Sequence, residues 1–282
     1  MTVKELLRQA EAMLSAAKTE NAQGEDVQIV CSVLNKDRSF FFAHGEASAD
    51  SEDAERVLHL ASMRAKGEPL QYVLGTAPFM DLELFVDPRV LIPRPETELL
   101  AEKAAELLEA KNAKGSGLSF LDLCTGSGAI AVYLARRFPE AYAAASDISA
   151  SALEVAAENS RRLDAGLKLA CSDLFERIDG RFDLITANPP YIPDGTVDLL
   201  DPLVKDNEPG LALAGGPDGL DIIKRLIKDA PSHLKAGGAL LMEHGHDQGA
   251  ACAALALDAG FSSAITLKDL EGHDRILYAV MA

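Results

Sequence analysis

The sequence predicts an α/β protein: a parallel sheet with helices on both faces, preceded by a small helical region. Two observations predict it. From Ser119 onward, strand-like and helix-like segments alternate, the pattern of parallel strands joined by helical crossovers. Over roughly the first 75 residues, apolar residues instead recur at helical spacing with no strand-like alternation between them.

The helical region opens on Leu6, Leu7, Ala10, Met13, Leu14 and Ala17, one stripe of an amphipathic helix. Similar periodicity runs through Val27–Leu34 and Ala54–Ala65, so residues 1–75 read as an N-terminal helical domain. From Phe79 the texture changes. Residues Met80–Val86 follow the period-2 alternation of a half-exposed strand. Asp87-Pro88-Arg89 reads as a turn and Val90-Leu91-Ile92 as the returning strand, a β-hairpin linker over residues 76–92. Pro93 and Pro95 then stiffen the chain just before a helix over Glu98–Lys111.

Residues 93–282 form the second domain. Strands are expected at Phe120–Cys124, Ala141–Ser146, Lys168–Ser172, Phe182–Ala187 and Ala239–Glu243. Helices are expected over Ala129–Phe138, Ala152–Leu163, Leu220–His233 and Gln248–Ala259. Ser263–Leu267 and Arg275–Met281 close the chain as strands with no helix between them, so one strand at that end runs antiparallel. No internal repeat or low-complexity tract interrupts this order.

Composition narrows the function classes. The 282 residues are 48% hydrophobic and 25% charged, enough to bury a sizeable core in a soluble protein. The N-terminus is an amphipathic helix start without the apolar core of a signal peptide, and no run approaches the ~18 apolar residues of a membrane span. A soluble, cytoplasmic protein is expected. Cys31, Cys124, Cys171 and Cys252 lie far apart with no paired spacing, which predicts buried free thiols rather than a zinc site or disulfide. The net charge of −17 argues against a nucleic-acid binder, whose affinity comes from phosphate contacts, and for a protein or small-molecule substrate.

Three sites carry chemistry. The first is Leu121-Asp122-Leu123-Cys124-Thr125-Gly126-Ser127-Gly128, which closes a strand and opens a helix. Glycine lets the backbone approach a ligand without a Cβ in the way, and the helix start offers free N–H groups. The turn lacks the third glycine of a dinucleotide fingerprint, since Ile130 and Ala131 stand there. Glycines serving conformation alone remain the competing explanation. The second site, Asp147, ends the next strand about 20 residues on, where a carboxylate that binds ribose hydroxyls is expected. Capping the following helix is its other reading.

The third site decides the reaction. Asn188-Pro189-Pro190-Tyr191 follows an apolar strand at its C-terminal end, where ligands sit in open α/β sheets. An amide or exocyclic amine has a delocalised, weakly nucleophilic lone pair. Two acceptors gripping both of its N–H bonds orient that lone pair and stabilise the positive charge that develops on nitrogen. The Asn188 side-chain oxygen and the Pro189 carbonyl can supply the pair, the prolines stiffen the backbone, and Tyr191 can lie flat on a planar acceptor. A Pro-Pro turn after a buried strand is the bland alternative.

Together, Cys124–Gly128 and Asn188–Tyr191 resemble a class I S-adenosylmethionine-dependent methyltransferase acting on a planar nitrogen. Residues 67–72 (Gly-Glu-Pro-Leu-Gln-Tyr), Leu91–Thr97, Asn207-Glu208-Pro209 and Glu243-His244-Gly245 resemble the PrmC/HemK family of protein-(glutamine-N5) methyltransferases. The resemblance spans Gly67 to the C-terminus. It implies a seven-stranded, Rossmann-like catalytic domain over residues 93–282, a hairpin linker, and an N-terminal helical domain that docks substrate. It implies methylation of the glutamine of the Gly-Gly-Gln motif in peptide chain release factors, acting in translation termination with S-adenosyl-L-methionine. By position, Cys124, Thr125, Gly126, Ser127 and Gly128 wrap the methionine part of the cofactor, Asp147 holds its ribose, Leu174 lies by its adenine, and Asn188 borders it. Asn188, Pro189, Pro190 and Tyr191 bind the glutamine amide, with Asn188, Pro189 and Tyr191 catalytic. Cys124 stands where some relatives have glycine, and Leu174 where some place an aromatic.

The expected form is a monomer that touches neither nucleic acid nor membrane. Glu243-His244-Gly245-His246 lacks a third ligand, so no metal is expected and a structural or substrate-rim role fits better. Arg94 is either a solvated charge or part of the active-site surround, and Asp206–Gly219 is either a loop over the substrate or a plain surface loop. An adenine-N6 DNA methyltransferase shares the Asn-Pro-Pro-Tyr motif but needs a basic cleft and a target-recognition region. A ribosomal-protein glutamine methyltransferase and a non-catalytic binding module with the same fold are the other readings.

Overall fold

A computed structural model describes residues 1–112 and 117–282, and the chain divides into two units. The first comprises Met1–Thr76 together with Asp201–Asn207. Its helices are α1 (Val3–Ala16), α2 (Ala22–Leu34), α3 (Arg38–His44), α4 (Ser51–Ala65) and α5 (Leu70–Leu74). The start of α1 is fixed by a reciprocal cap. Glu5 N–H donates to Thr2 Oγ1 at 3.2 Å and Thr2 N–H to the Glu5 carboxylate at 2.8 Å. The stripe Leu6, Ala10 and Leu14 is fully buried against Ile29 and Val30 of α2 and Val57 and Ala61 of α4. Burying each leucine contributes roughly 1.5–3 kcal/mol, which holds helices too short to persist alone. Arg64 on α4 is buried and donates to both carboxylate oxygens of Glu25 on α2, at 2.6 and 3.1 Å.

The second unit, Ala77–Leu200 with Glu208–Ala282, begins in a two-stranded hairpin of β1 (Thr76–Phe79) and β2 (Leu82–Phe85). The turn therefore falls at Met80-Asp81, earlier than the sequence suggests, and Val90–Ile92 is not a strand. Met80 takes a left-handed φ of +55°, unusual without glycine, and its N–H donates to the Glu98 carboxylate at 2.7 Å. That long-range bond compensates a turn that its own sequence does not announce. Asp87-Pro88-Arg89 does turn, closed by Val90 N–H on Asp87 O at 3.1 Å, but it leads into an irregular segment with Val90 and Ile92 buried.

The remaining elements are α6 (Pro95–Asn112), β3 (Ser119–Leu123), α7 (Ala129–Arg137), β4 (Tyr142–Asp147), α8 (Ala150–Arg162), β5 (Lys168–Cys171) and β6 (Phe182–Ala187). After them come α9 (Asp194–Val197), α10 (Pro202–Lys205, counted with the first unit), α11 (Asp221–Asp229), β7 (Leu234–Glu243), α12 (Gly249–Asp258), β8 (Ser263–Lys268) and β9 (Asp274–Val280). Seven strands make one sheet in the order β5-β4-β3-β6-β7-β9-β8. The first five are parallel, and β9 is antiparallel to both β7 and β8, as the helix-free ending requires.

Residues of β3 alternate between two cores. Phe120 packs with Leu100 of α6 and Leu134 of α7, while Leu121 and Leu123 pack with Ile223 and Leu226 of α11 on the other face. Every residue of β3 and β6 is buried, as central parallel strands require. Asn159 of α8, fully buried, serves as a joint. Its Oδ1 accepts Phe85 N–H at 2.7 Å, and its Nδ2 donates to the carbonyls of Phe85 and Ser127, each at 2.9 Å.

The cysteines are free but not uniformly buried: Cys252 is buried, Cys31 and Cys124 are half-buried and Cys171 is exposed. Cys171 ends β5, the edge of the sheet, where one side has no neighbouring strand to cover it. Among the described residues, no helix is long and apolar enough to cross a membrane.

Candidate active site

After β3 the chain moves outward through β4 and β5, then returns across β3 to form β6. This reversal opens a crevice at the C-terminal ends of β3, β4 and β6, the place where open α/β sheets bind ligands. A cleft opens there, lined by residues from the turns that follow β3, β4 and β5 and from the segment after β6. Cys124, Thr125, Gly126, Ser127, Asp147, Leu174, Asn188 and Pro190 line it. Gly128, Pro189 and Tyr191 are not part of that lining.

The turn after β3 is wound through left-handed backbone at Cys124, Gly126 and Gly128, with φ of +54°, +54° and +81°. A Cβ on Gly128 would meet Ala156 Cβ at 3.3 Å, so this glycine serves the packing of α7 on α8. A Cβ on Gly126 would meet nothing within 4 Å, so the turn leaves open space on the cleft side. The left-handed φ at Cys124 is the physical reason glycine suits this position.

Below the turn lies Asp122, an aspartate flanked by leucines inside a buried strand. It is 1% exposed and accepts hydroxyl donors from Thr125 at 2.6 Å and Thr186 at 2.7 Å. Burial pushes its carboxyl up to about 7, against the lowering effect of both hydroxyls. Asp147 accepts the N–H groups of Gly126 (2.9 Å, Oδ2) and Ser149 (2.9 Å, Oδ1). Burial raises its pKa and these N–H donors counter the rise. Asp147 does not cap α8, because Ser149 does, its Oγ accepting Ala152 N–H at 3.2 Å; the carboxylate instead ties the glycine turn to the residue that caps the helix. Leu174 has φ +47° and is nearly buried, with Asp173 beside it paired to Arg225 of α11 at 2.8 Å.

The segment Asn188–Tyr191 leaves β6 into a network the sequence does not reveal. Asn188 Nδ2 donates to Thr97 Oγ1 at 3.1 Å, and Thr97 Oγ1 donates to Glu243 Oε2 at 2.7 Å. Tyr191 OH donates to Glu243 Oε1 at 3.0 Å, and Tyr191 O accepts from Gln248 Nε2 at 2.9 Å. Burial, with the neighbouring Glu243 charge, pushes the Tyr191 phenol above its ordinary value, so it stays protonated at neutral pH. Burial also raises Glu243, opposed by the Thr97 and Tyr191 hydroxyls. Beyond Tyr191, Ile192 pairs with the loop ahead of α11: Ile192 N–H donates to Leu213 O at 3.0 Å and Gly215 N–H to Ile192 O at 2.9 Å.

Arg94 reaches the cleft wall from between its two prolines and donates to both oxygens of Glu208, at 2.7 and 2.8 Å. The Glu208 side chain is 1% exposed, so the arginine neutralises a buried charge rather than sitting solvated. His244 is also fully buried, with Nδ1 2.8 Å from Gly245 O. Among the described residues, no group of three or more His, Cys, Asp or Glu is placed to hold a metal.

Sequence reasoning held Asp122 as part of the glycine-turn motif and Thr97, Glu208 and Glu243 as members of the family-like stretches, but missed the hydrogen bonds that link them; Asp173 it did not single out. Asp122 carried a signal of its own, as a carboxylate within a mostly apolar strand.

Comparison with known proteins agrees with this architecture. The family described as the PrmC N-terminal domain matches residues 5–75, and the methyltransferase small domain matches residues 101–213. A release factor glutamine methyltransferase of Geobacter sulfurreducens is 37% identical over 277 residues, covering 98% of this chain and 95% of the relative. One from Clostridium acetobutylicum is 36% identical over 286 residues, covering 99% of each. A methyltransferase from Pyrococcus furiosus, known from its crystal structure, shares the fold with a TM-score of 0.52 at 17% identity, over 82% of this chain and 98% of that one. With such similarity along nearly its whole length, the chain belongs to the release factor glutamine methyltransferase family.

Proposed function

We propose that this chain methylates the side-chain amide nitrogen of the Gly-Gly-Gln glutamine of a peptide chain release factor, using S-adenosyl-L-methionine. The observation that carries the reading is the orientation of Asn188. Its NH2 end is bound inward by Thr97, so its oxygen is the end left to accept from an incoming amide at the cleft.

The cleft fits the cofactor. The left-handed turn leaves room beside Gly126 for the methionine part. Each Asp147 oxygen takes one backbone N–H, which leaves lone pairs for two ribose hydroxyls. Leu174 offers an apolar surface to the adenine. When bound, the cofactor supplies an electrophilic methyl group on a sulfonium.

The protein's own part is grip and alignment. Asn188 Oδ1 and the Pro189 carbonyl accept the two amide N–H bonds, and these bonds strengthen as positive charge grows on nitrogen. Orientation of the lone pair supplies much of the remaining rate. Tyr191, a phenol throughout, is no base; the proton leaves the methylated nitrogen for solvent. The helical unit docks the release factor, and the acidic surface complements basic patches on it. The protein acts in the cytoplasm as a monomer, without touching nucleic acid directly.

The test is a radiolabelled methyl-transfer assay with purified release factor, its Gln→Ala variant and DNA as competing acceptors. Label is expected on the release factor alone and not on the variant. Transfer to DNA but not to the release factor would overturn the reading.

A further inference from the structure

We propose that Glu243, acting through Thr97, dictates which end of the Asn188 amide faces the acceptor, and is a positioning residue for amide methylation. The inference rests on the acceptor-gripping role of Asn188 and deepens it.

The two ends of an asparagine amide have nearly the same shape, so packing alone does not choose between them. Hydrogen-bond polarity does. A carboxylate only accepts. Glu243, 1% exposed at the end of β7, takes the Thr97 hydroxyl proton at 2.7 Å on one oxygen and the Tyr191 proton at 3.0 Å on the other. With its proton committed, the Thr97 oxygen has only lone pairs to offer Asn188. The amide must then turn its NH2 toward Thr97, as the 3.1 Å contact to Nδ2 shows. Its oxygen is left for the cleft.

The reverse polarity is equally well formed chemically and useless for the reaction. Were Thr97 to donate to Asn188, the amide would turn over and present N–H groups to the acceptor's own N–H groups. Donor would face donor, and the stabilisation of charge on nitrogen would be lost. Three elements therefore share the work: α6 brings Thr97, β6 leads directly into Asn188, and β7 ends in the carboxylate that sets the direction.

The test compares Thr97→Val, which keeps the shape and loses the hydroxyl, with Thr97→Ser, which keeps the hydroxyl and loses a methyl. Glu243→Gln keeps the volume and turns one of the two acceptors into a donor, facing either Thr97 or Tyr191. Each purified variant is assayed for kcat on release factor, for cofactor affinity by calorimetry and for melting temperature. Thr97→Val is expected to lose about tenfold or more in kcat, and Glu243→Gln as much where its NH2 faces Thr97 and little where its oxygen does, with cofactor affinity within about twofold of the parent. Thr97→Ser should stay within about threefold. A packing role would rank valine above serine, and that order overturns the proposal. So does full activity of Thr97→Val, even if Glu243→Gln fails to fold. Asn188→Ala separates the two claims. If it abolishes transfer while Thr97→Val does not, only the positioning role falls; if it leaves transfer intact, the acceptor-gripping role falls and the positioning role with it.

Discussion

The Gly126 N–H donates to the Asp147 carboxylate across 2.9 Å, so the glycine turn after β3 and the carboxylate ending β4 form one hydrogen-bonded unit. Losing the carboxylate therefore does two things at once: it removes the proposed ribose acceptor and frees the turn. Asp147→Ala should weaken cofactor binding by about tenfold or more, which calorimetry would read. At saturating cofactor, kcat should remain within about threefold, because the proposed amide grip at Asn188 and Pro189, just after β6, is untouched. A kcat collapse with unchanged affinity would remove Asp147 from the cofactor site.

Gly215 lets the loop ahead of α11 press on the Asn188–Tyr191 segment. A Cβ there would stand 2.7 Å from Pro190 O and 2.9 Å from Tyr191 Cα, both backbone atoms that cannot simply rotate away. Gly215→Ala should shift the gripping segment and lower kcat about ten- to hundredfold, with little change in cofactor affinity. Gly195→Ala, where nothing lies within 4 Å of the added methyl, is the control and should keep full activity.

The Arg94–Glu208 pair predicts a stability effect. Burial raises the Glu208 pKa and Arg94 opposes that rise. Arg94→Ala leaves a buried carboxylate without its counter-charge and should cost about 2 kcal/mol in denaturant unfolding near pH 7. Adding Glu208→Gln to that variant should recover most of the loss. If the double variant is no more stable than the single, the charge pair is not what stabilises the segment.

Asp122 gives a pH dependence. Its carboxyl titrates near pH 7 in the fold and near the ordinary aspartate value of 3.8 once unfolded, so the folded protein keeps a proton that the unfolded chain has already lost. Stability from this group is greatest at low pH, falls as pH rises through that window, and is level above it. Asp122→Asn cannot ionise. It keeps an acceptor for Thr125, and the Thr186 hydroxyl can rotate to receive its NH2. The variant should melt roughly 5 °C above the parent at pH 8, with the gap closing toward pH 4. A gap that is constant with pH would mean the aspartate is not the titrating group.

Much of this was legible in the sequence, for local reasons. The apolar run Phe182–Ala187 is both the predicted and the observed strand, because a central parallel strand needs apolar residues on both faces. The glycine turn, Asp147 and Asn188–Tyr191 were visible because each is a short motif at a strand end. The hairpin was misplaced because Met80 adopts a glycine-like φ on the strength of a bond from Glu98, far along the chain. The bond between Thr97 and Glu243 was invisible for the same reason. The two residues lie 146 positions apart, and a threonine in the first turn of α6 carries no sign of the carboxylate it will meet.

Asn159 does for β2 what a neighbouring strand would do. It occupies both backbone groups of Phe85, while the Arg162 guanidinium lies 4.7 Å from the centre of the Phe85 ring. A two-stranded hairpin ordinarily offers a free edge to any extended peptide that drifts by. At Phe85 that edge is already taken by a side chain of the protein itself. An extended segment of an incoming protein thus finds the backbone pair at Phe85 already occupied.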